Sequence, residues 1–406
     1  MRVGVYVGDV PATFGGAFTF QQDMVLALIE CARQSAHEFV ILGTLSPHDR
    51  AAAVAAGMTV QELPGAARWR SVLRHFSGIV LGNAKLVLRA AGFKSRLDRL
   101  AERLDLHMLW FVTPFYERTE TPFIYTVWDL QHRIQPWFPE VSSRGRWEFR
   151  EHNYSQVIPR ASVVIISNEA ARRDLQLYYQ VPDERIKLLP HPTPSFVLGD
   201  LAAGVGEQGK SRLAAPYVLY PAQFWPHKNH VGLLRAVAWL RQHRGMQLDI
   251  ALVGPDRGNL EHVKREAERL GIAQQTHFLG FVERSELLAL YRGAAALVYL
   301  SFFGPENLPP LEAFALSCPV VAARYAGAQE QLGNAALLVN PTDPQEVAEA
   351  IHLVVTDAQL RTRLLEAGLR RARAWTPLHY VRGVLSELDR LAPIRACWGR
   401  QQTPIS

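Results

Sequence analysis

Short apolar segments alternate with longer helix-like segments along the first half of the chain. Each apolar segment is five or six residues long and carries β-branched or aromatic side chains, which is typical of a buried strand. Strands that alternate with helices favour a parallel sheet with crossover helices. The strands predicted in this half are 3–7, 38–42, 107–112, 123–127 and 162–166.

The same alternation restarts after a break. Residues 198–211 are rich in glycine and polar side chains and lack a hydrophobic period, which is typical of a linker. The strands predicted beyond this break are 217–220, 248–253, 276–279, 296–300 and 320–323. The pattern therefore predicts an α/β protein in which two halves of similar architecture face each other across a cleft.

Chain length agrees with two domains, because 406 residues exceed the size at which one hydrophobic core keeps growing. We expect a first domain at 1–200, a linker at 201–214 and a second domain at 215–376. A further helix is predicted from Pro377 to about residue 392. Residues 393–406 have no periodic pattern and predict a mobile tail.

Cysteine content and hydropathy indicate the compartment. Cys31, Cys318 and Cys397 are odd in number and far apart, which favours a reducing cytoplasm over a disulfide framework. The first apolar run is too short for the core of a signal peptide, and no run reaches about 18 apolar residues. We expect a cytoplasmic protein that is soluble or bound at the membrane periphery.

The net charge of +6 is concentrated in one segment, residues 68–103. Nine Arg and Lys residues stand there against Asp98 and Glu102, with apolar and aromatic side chains between them. Such a segment can rest on an anionic membrane, and it is equally typical of a solvated helix face that covers a sheet. No nucleic-acid-binding motif accompanies the charge, so nucleic acid is not expected as a partner.

The segment 303–314, Phe-Gly-Pro-Glu-Asn-Leu-Pro-Pro-Leu-Glu-Ala-Phe, joins a predicted strand to a predicted helix. The helix is expected to open at Pro309–Pro310, because proline suits the first helical turn. A strand, a tight loop and a helix N-terminus direct free N–H groups at a bound anion. Glu312, expected in the first turn, can accept hydrogen bonds from a ribose diol. An ordinary surface loop with a capping carboxylate is the alternative for such a motif on its own.

The segment resembles the nucleotide-sugar clamp of the family 4, or group 1, glycosyltransferases, whose usual form is Glu-Gly-Phe-Gly-Leu-Pro-Pro-Leu-Glu. The resemblance covers nearly the whole chain and implies the GT-B fold, with two Rossmann-like domains and a last helix that crosses back to the first. Glu312 matches the glutamate that the family uses on the ribose. Gly304 stands in the place of the glutamate that reads the transferred sugar. Glu306, Asn307 and Leu308 complete the expected donor loop.

A second strand–loop–helix junction contains Lys228, which would place a positive charge beside a leaving diphosphate. The family carries a lysine at the matching position, and often a cation about five residues earlier, where this chain has Gln223. His227 and His230 lack partners for a metal site, and no Asp-x-Asp triplet occurs. We expect no metal and no cofactor.

Three further positions complete the predicted site. Gly15 and Gly16 follow the first strand, where the family brings backbone close to the donor phosphates. Trp128 and Asp129 follow another strand; in relatives His-Asp stands there, so Trp128 is a candidate sugar contact. Asp129 or His132 can orient the acceptor hydroxyl, although His132 can equally be a core residue. The resemblance implies a base pocket at Phe281 and Val282.

The resemblance thus implies a retaining glycosyltransferase that moves a sugar from a nucleoside-diphosphate sugar to a saccharide or lipid-linked acceptor, with an expected role in surface polysaccharide or glycolipid assembly. Two alternatives remain open. One is a sugar-nucleotide epimerase of the same fold, and the other is a catalytically silent sugar-nucleotide-binding subunit.

Overall fold

A computed structural model describes residues 1–11, 15–63, 94–203, 213, 216–304 and 306–399. Within these residues the chain forms two parallel β-sheets with helices packed on them. The first sheet is built from the first half of the chain and the second from the second half. This is the α/β architecture that the alternating pattern predicts.

The first sheet has the strand order β3-β2-β1-β4-β5-β6-β7, and every paired strand is parallel to its neighbour. Its strands are β1 (Arg2–Tyr6), β2 (Glu38–Leu42), β3 (Thr59–Gln61), β4 (Met108–Phe111), β5 (Phe123–Thr126), β6 (Val163–Ile166) and β7 (Ile186–Leu188). Because parallel strands end at the same edge, the loops after β1, β5 and β7 lie on one side of this domain.

The second sheet has the order β10-β9-β8-β11-β12-β13 and is also parallel. Its strands are β8 (Tyr217–Pro221), β9 (Asp249–Val253), β10 (Thr276–Gly280), β11 (Ala296–Tyr299), β12 (Val320–Ala323) and β13 (Ala336–Val339). Strands β8 and β11 are neighbours, so the loops that follow them lie side by side.

Helices connect the strands and cover both sheets. In the first half they are α1 (Gly16–Ala32), α2 (Pro47–Ala55), α3 (Arg96–Arg103), α4 (Gln131–Ile134), α5 (Pro139–Ser142), α6 (Arg146–Val157), α7 (Glu169–Tyr179) and α8 (Ser195–Ala203). In the second half they are α9 (His230–Arg244), α10 (Leu260–Arg269), α11 (Arg284–Gly293), α12 (Leu308–Ala315), α13 (Ala328–Leu332), α14 (Pro344–Thr356), α15 (Ala358–Ala374) and α16 (Pro377–Arg395).

All ten predicted strands are present, and three further strands, β3, β7 and β13, were not predicted. Each of these three lies at an edge of its sheet. Their side chains are mostly half-buried, and they are only three or four residues long. Because these three strands are short and partly exposed, they give a weaker hydrophobic signal than the longer buried strands.

The last helix packs on the first domain. Tyr380, Val381, Val384 and Leu388 of α16 are fully buried in the core that α1 shares with β1. The helix continues through Pro393 to Arg395, so the predicted tail at 393–406 begins too early. Arg395 holds this end by donating from Nε to the carbonyl oxygen of His107 at 3.2 Å. Residues 400–406 lie outside the described residues.

Two other predictions, the linker and the basic segment, concern parts of the chain that the structure describes incompletely. The predicted linker is helical over its first residues, because α8 continues to Ala203, and residues 204–212 lie outside the described residues. Of the basic segment 68–103, only 94–103 is described, and α3 occupies most of that part. Within the described residues, every helix is too short or too polar to span a bilayer.

Candidate active site

A cleft of about 480 Å³ lies between the two domains, at the carboxyl edges of both sheets. It has the size of an ordinary small-ligand site. Most of the residues predicted as functional line it: Gly15, Gly16, Trp128, Asp129, Gln223, Lys228, Phe281, Val282, Glu306, Asn307 and Leu308. Glu312 and His132 are the predicted residues that do not line the cavity.

Lys228 lies between β8 and α9, and its side chain turns toward the loop after β11. Its Nζ donates to three neutral oxygens: Tyr299 Oη at 2.8 Å, Ser301 Oγ at 3.4 Å and Asn307 Oδ1 at 3.4 Å. Burial lowers the pKa of Lys228 to about 8, although Glu140 and Asp129 act in the opposite direction. The amine is therefore a cation at neutral pH whose direct partners bring no negative charge.

Gln223 lies at the end of β8 and is held by two donors. Its Oε1 accepts from Trp225 Nε1 at 2.8 Å and from Arg257 Nε at 3.2 Å. The guanidinium of Arg257 also lies 5.9 Å from the centroid of the Trp225 ring. Five residues before Lys228 the chain thus has the neutral side chain of Gln223. The cation of Arg257, from the loop after β9, donates to that side chain.

Helix α1 begins at the cleft, at Gly16. Gly15 adopts a φ of 59°, a left-handed conformation that favours glycine. A Cβ on Gly16 would lie 3.3 Å from Leu308 Cδ1 of the second domain. The two glycines therefore bring the N-terminus of α1 close to the donor loop, and its free N–H groups face the cleft.

The donor loop before α12 is held by a buried glutamine. Gln331 Nε2 donates to the carbonyl oxygen of Asn307 at 2.8 Å, and its Oε1 accepts from the N–H of Asn307 at 3.0 Å. Tyr325 Oη donates to the same Oε1 at 2.6 Å. Since Asn307 Oδ1 accepts from Lys228, Gln331 fixes the loop that contacts the cation.

Glu312 is the fifth residue of α12, because the helix begins at Leu308 rather than at Pro309, so it lies in the second turn and not in the first. Its carboxylate is buried and accepts from Tyr291 Oη at 2.5 Å. Burial raises the pKa of Glu312 to about 7, against the effect of the Tyr291 hydrogen bond. The nearby carboxylate of Asp23, on α1, raises it further.

Trp128 and Asp129 enter the cleft from the end of β5. The Trp128 ring meets Phe20 edge-on at a centroid distance of 5.8 Å. Burial would raise the pKa of Asp129, but the attraction of Arg150 and a hydrogen bond from the Gln131 N–H outweigh it, so the pKa is lowered. Asp129 is accordingly an ionised carboxylate paired with Arg150 of α6.

His132 is fully buried behind the cleft rather than in it. Its Nε2 lies 3.1 Å from Glu151 Oε2, and Glu151 also pairs with Arg133. Burial, together with the charge of Arg150, lowers the pKa of His132. The structure therefore places His132 in a polar cluster that supports α4, away from the residues that line the cavity.

The predicted base pocket forms the far end of the cleft. Gly280, at the end of β10, has a φ of 67°, and its carbonyl oxygen accepts from the Gly254 N–H at 2.8 Å. The chain turns there, so that Phe281 is exposed and Val282 is buried against the second core. Both residues border the cavity.

Comparison with known proteins shows the family. The model of the family described as "Glycosyl transferases group 1" matches residues 207–371. A D-inositol 3-phosphate glycosyltransferase of Corynebacterium jeikeium is 30% identical over 323 residues, which cover 76% of this chain and 73% of that protein. The chain belongs to the group 1 glycosyltransferases.

Two other relatives and one solved structure are similar at lower sequence identity. An Escherichia coli O-antigen chain mannosyltransferase B is 26% identical over 241 residues, 59% of this chain and 63% of that protein. The chain also spans 63% of the D-inositol 3-phosphate glycosyltransferase of Corynebacterium glutamicum. The Anabaena HepE structure with UDP and glucose covers 96% of this chain and all of its own, with a TM-score of 0.60 and 18% identity. This likeness confirms the GT-B fold.

Several residues of this group 1 site escaped the sequence-based prediction. His191 borders the cavity from the loop after β7, a strand that the pattern did not reveal. Arg257, Gln331 and Glu140 act from loops or helices distant in sequence from the residues that they contact. Glu140, on α5, accepts from the His227 N–H at 2.9 Å and so joins the two domains.

Proposed function

We propose that this protein transfers a sugar from a nucleoside-diphosphate sugar to an acceptor hydroxyl, with retention of anomeric configuration. One observation carries the proposal: the half-buried ammonium of Lys228, whose hydrogen-bond partners among the described residues are all neutral oxygens, stands in the interdomain cleft beside the N-termini of α1 and α12. Such an arrangement attracts an anion with two phosphates. Membership in the group 1 family supports a sugar nucleotide as that anion.

In the proposed mechanism the diphosphate leaves against Lys228. Negative charge grows on the leaving phosphate as the glycosidic bond breaks, so a fixed cation stabilises the transition state more than the ground state. For retention, the acceptor hydroxyl attacks from the face that the diphosphate leaves, and a phosphate oxygen takes its proton. Asp129, ionised beside Arg150, is then available to orient the acceptor hydroxyl.

Glu312 is proposed as the ribose contact and the turn at Phe281 and Val282 as the base pocket. The carboxylate of Glu312 accepts a hydrogen bond from Tyr291 Oη. A ribose diol would share the same carboxylate, which must be ionised to accept two more hydrogen bonds. Lys228 and the two helix N-termini supply positive charge to the diphosphate, which supports transfer that needs no metal ion.

Relatives guide the choice of substrates. One is named as an O-antigen chain mannosyltransferase and others as D-inositol 3-phosphate glycosyltransferases, and the HepE structure contains UDP and glucose. We propose transfer of a hexose to a saccharide or lipid-linked acceptor in surface polysaccharide or glycolipid assembly.

The basic segment 68–103 is proposed to contact anionic lipid. Co-sedimentation with phosphatidylglycerol vesicles tests this, and phosphatidylcholine vesicles are the control.

The decisive experiment begins with thermal unfolding in the presence of UDP-, GDP-, ADP- and dTDP-hexoses. A ligand that binds the folded state raises the unfolding temperature, so one of these donors is expected to stand out. Transfer from that donor to saccharide and lipid-linked acceptors is then measured with and without EDTA, and NMR gives the anomeric configuration of the product. Transfer that EDTA abolishes, or an inverted product, would contradict the corresponding part of the proposal. If none of the donors binds, the proposal as a whole fails.

A further inference from the structure

The donor loop leaves no room for the family's sugar-reading glutamate. Gly304 has a φ of 113°, and a Cβ built there would lie 2.9 Å from Asn307 Oδ1. A side chain at residue 304 would therefore be strained and would push on the residue that contacts Lys228. The second domain thus offers no carboxylate from this position to the hydroxyls of a transferred sugar.

Glu306, the nearest carboxylate in the loop, is already engaged. Its side chain is only 2% exposed, and its Oε2 accepts from the backbone N–H of His191 in the first domain. The same oxygen lies 3.4 Å from His191 Nδ1. Glu306 therefore holds the loop after β7 against the donor loop, and its carboxylate is engaged in that contact.

The contact with Glu306 holds the imidazole ring of His191 at the wall of the cavity. The ring is wedged between Phe20, at a centroid distance of 5.0 Å, and Trp128, at 6.4 Å, and it meets both rings edge-on. The side chain is 14% exposed, on the wall shared with Gly304 and Trp128. Packing on two sides and the Glu306 contact together fix the direction of the imidazole.

The imidazole is also in the right state for a sugar hydroxyl. Burial lowers the pKa of His191 to about 4, so the ring is neutral near pH 7. Burial likewise raises the pKa of Glu306 well above its ordinary value. A neutral imidazole has one N–H donor and one nitrogen acceptor. Nδ1 lies beside Glu306, so Nε2 is the nitrogen left for a sugar hydroxyl, and the neutral ring does not compete with Lys228 for the diphosphate.

We propose that His191 binds a hydroxyl of the transferred sugar and that Glu306 is its positioning residue. The first domain thereby supplies the recognition that the family's glutamate gives from the second domain. This inference rests on the proposed function, because it assumes that the cavity holds a sugar nucleotide with its diphosphate at Lys228.

The test separates the sugar from the nucleotide. Dissociation constants are measured by calorimetry for a nucleoside diphosphate and for its hexose derivative, using the base that the thermal screen selects. The wild-type protein is expected to bind the sugar nucleotide more tightly than the bare diphosphate. His191→Phe keeps an aromatic ring but removes its hydrogen bonds, and should reduce that preference about tenfold, the equivalent of one lost hydrogen bond. Its affinity for the bare diphosphate should stay unchanged.

Two further variants and one control complete the design. Glu306→Ala should lower the same preference, because the loop that carries His191 loses its contact with Glu306. His191→Gln should keep more of the preference than His191→Phe, because its amide can still form a hydrogen bond with the sugar. His152→Phe, an exposed histidine on α6, is the matched control. An unchanged preference in His191→Phe overturns the inference even when both ligands bind. If the wild-type protein binds neither ligand, the proposed function fails instead. Circular dichroism confirms that each variant is folded.

Discussion

Lys228 shows how one residue can be unfavourable for the ligand-free protein and useful for the proposed reaction. Burial lowers its pKa from 10.5 to about 8. At neutral pH the folded protein therefore keeps an ammonium that has lost part of its water without gaining a direct negative partner. A bound diphosphate supplies that partner. Relief of the poor solvation of the Lys228 ammonium therefore adds to the free energy of diphosphate binding.

Replacing Lys228 by methionine is expected to separate the two effects. Lys228→Met removes the half-buried charge while keeping most of the side-chain volume. The unfolding temperature of the ligand-free protein should rise by about 2–4 °C, the shift expected for a gain of about 1 kcal/mol in a domain of this size. Stabilisation by the donor should disappear. Differential scanning fluorimetry with and without the selected nucleoside diphosphate measures both, and a variant that keeps the donor effect would contradict the role of Lys228.

Donor affinity is expected to have an optimum between about pH 7 and pH 8. Below pH 7 Glu312 becomes protonated and accepts fewer hydrogen bonds from the ribose, because burial has raised its pKa to about 7. Above pH 8 the amine of Lys228 loses its proton before the diphosphate binds, and affinity should fall about tenfold per pH unit. Calorimetry from pH 6 to pH 10 tests this. Glu312→Gln should remove the acid limb only, and an acid limb that persists would contradict the assignment.

Helix α13 is the element that shapes the donor loop, although it contributes no residue to the cavity. Its Gln331 satisfies both backbone groups of Asn307, just before α12 begins. A buried backbone N–H and C=O left without partners would each cost about 1–3 kcal/mol. The short helix therefore controls the geometry between the Asn307 side chain and Lys228.

Gln331→Met is expected to loosen this loop, since methionine has similar length but cannot make these hydrogen bonds. The KM for the donor should rise about tenfold or more, and the unfolding temperature should fall. Tyr325→Phe is the matched control, because it leaves both hydrogen bonds between Gln331 and the Asn307 backbone in place. Equal increases in KM for the two variants would show that general destabilisation, and not loop position, explains the effect.

At the level of elements, the hydrophobic pattern predicts the central strands and the edge strand β10 but misses the edge strands β3, β7 and β13. The central strands are buried on both faces and read as continuous apolar runs, whereas β7 has the sequence Ile-Lys-Leu and is half-exposed. Because β7 was not predicted, His191 in the loop that follows it was not recognised as a candidate site residue. Lys228 and Asn307 were predictable because their loops join strands to helices in recognisable motifs. Gln331 and Arg257 were not, since their contacts exist only after folding.

At the level of the whole molecule, the cleft exists because side chains of one domain bind backbone of the other. Glu140 accepts from the His227 N–H, Gln135 Nε2 donates to the Phe302 carbonyl oxygen at 3.1 Å, and Glu330 accepts from the Glu169 N–H at 2.9 Å. These contacts surround the donor site. They fix the spacing of α1 and α12 on which the proposed diphosphate site depends.

Removing one of these contacts is expected to open the cleft. Glu140→Ala deletes the hydrogen bond that the carboxylate accepts from the His227 N–H, and a hydrogen bond to a charged group contributes about 1.5–3 kcal/mol. The value of kcat/KM should fall about tenfold, and small-angle X-ray scattering should show a larger radius of gyration without ligand. Glu148→Ala, on the exposed side of α6, is the matched control and should match the wild type. An unchanged scattering profile for Glu140→Ala would show that other contacts suffice.

Helix α16 also determines the order in which the domains can mature during synthesis. The ribosome produces β1 to β7 first, yet the core of that domain includes Tyr380 and Leu388, which are translated after every strand of both sheets. The second domain has its own core and can finish folding earlier. We therefore expect the N-terminal domain to complete its core last, against the usual order in which the N-terminal domain folds first. Until α16 arrives, the apolar surface of α1 stays uncovered and is the part of the nascent chain that a chaperone would bind.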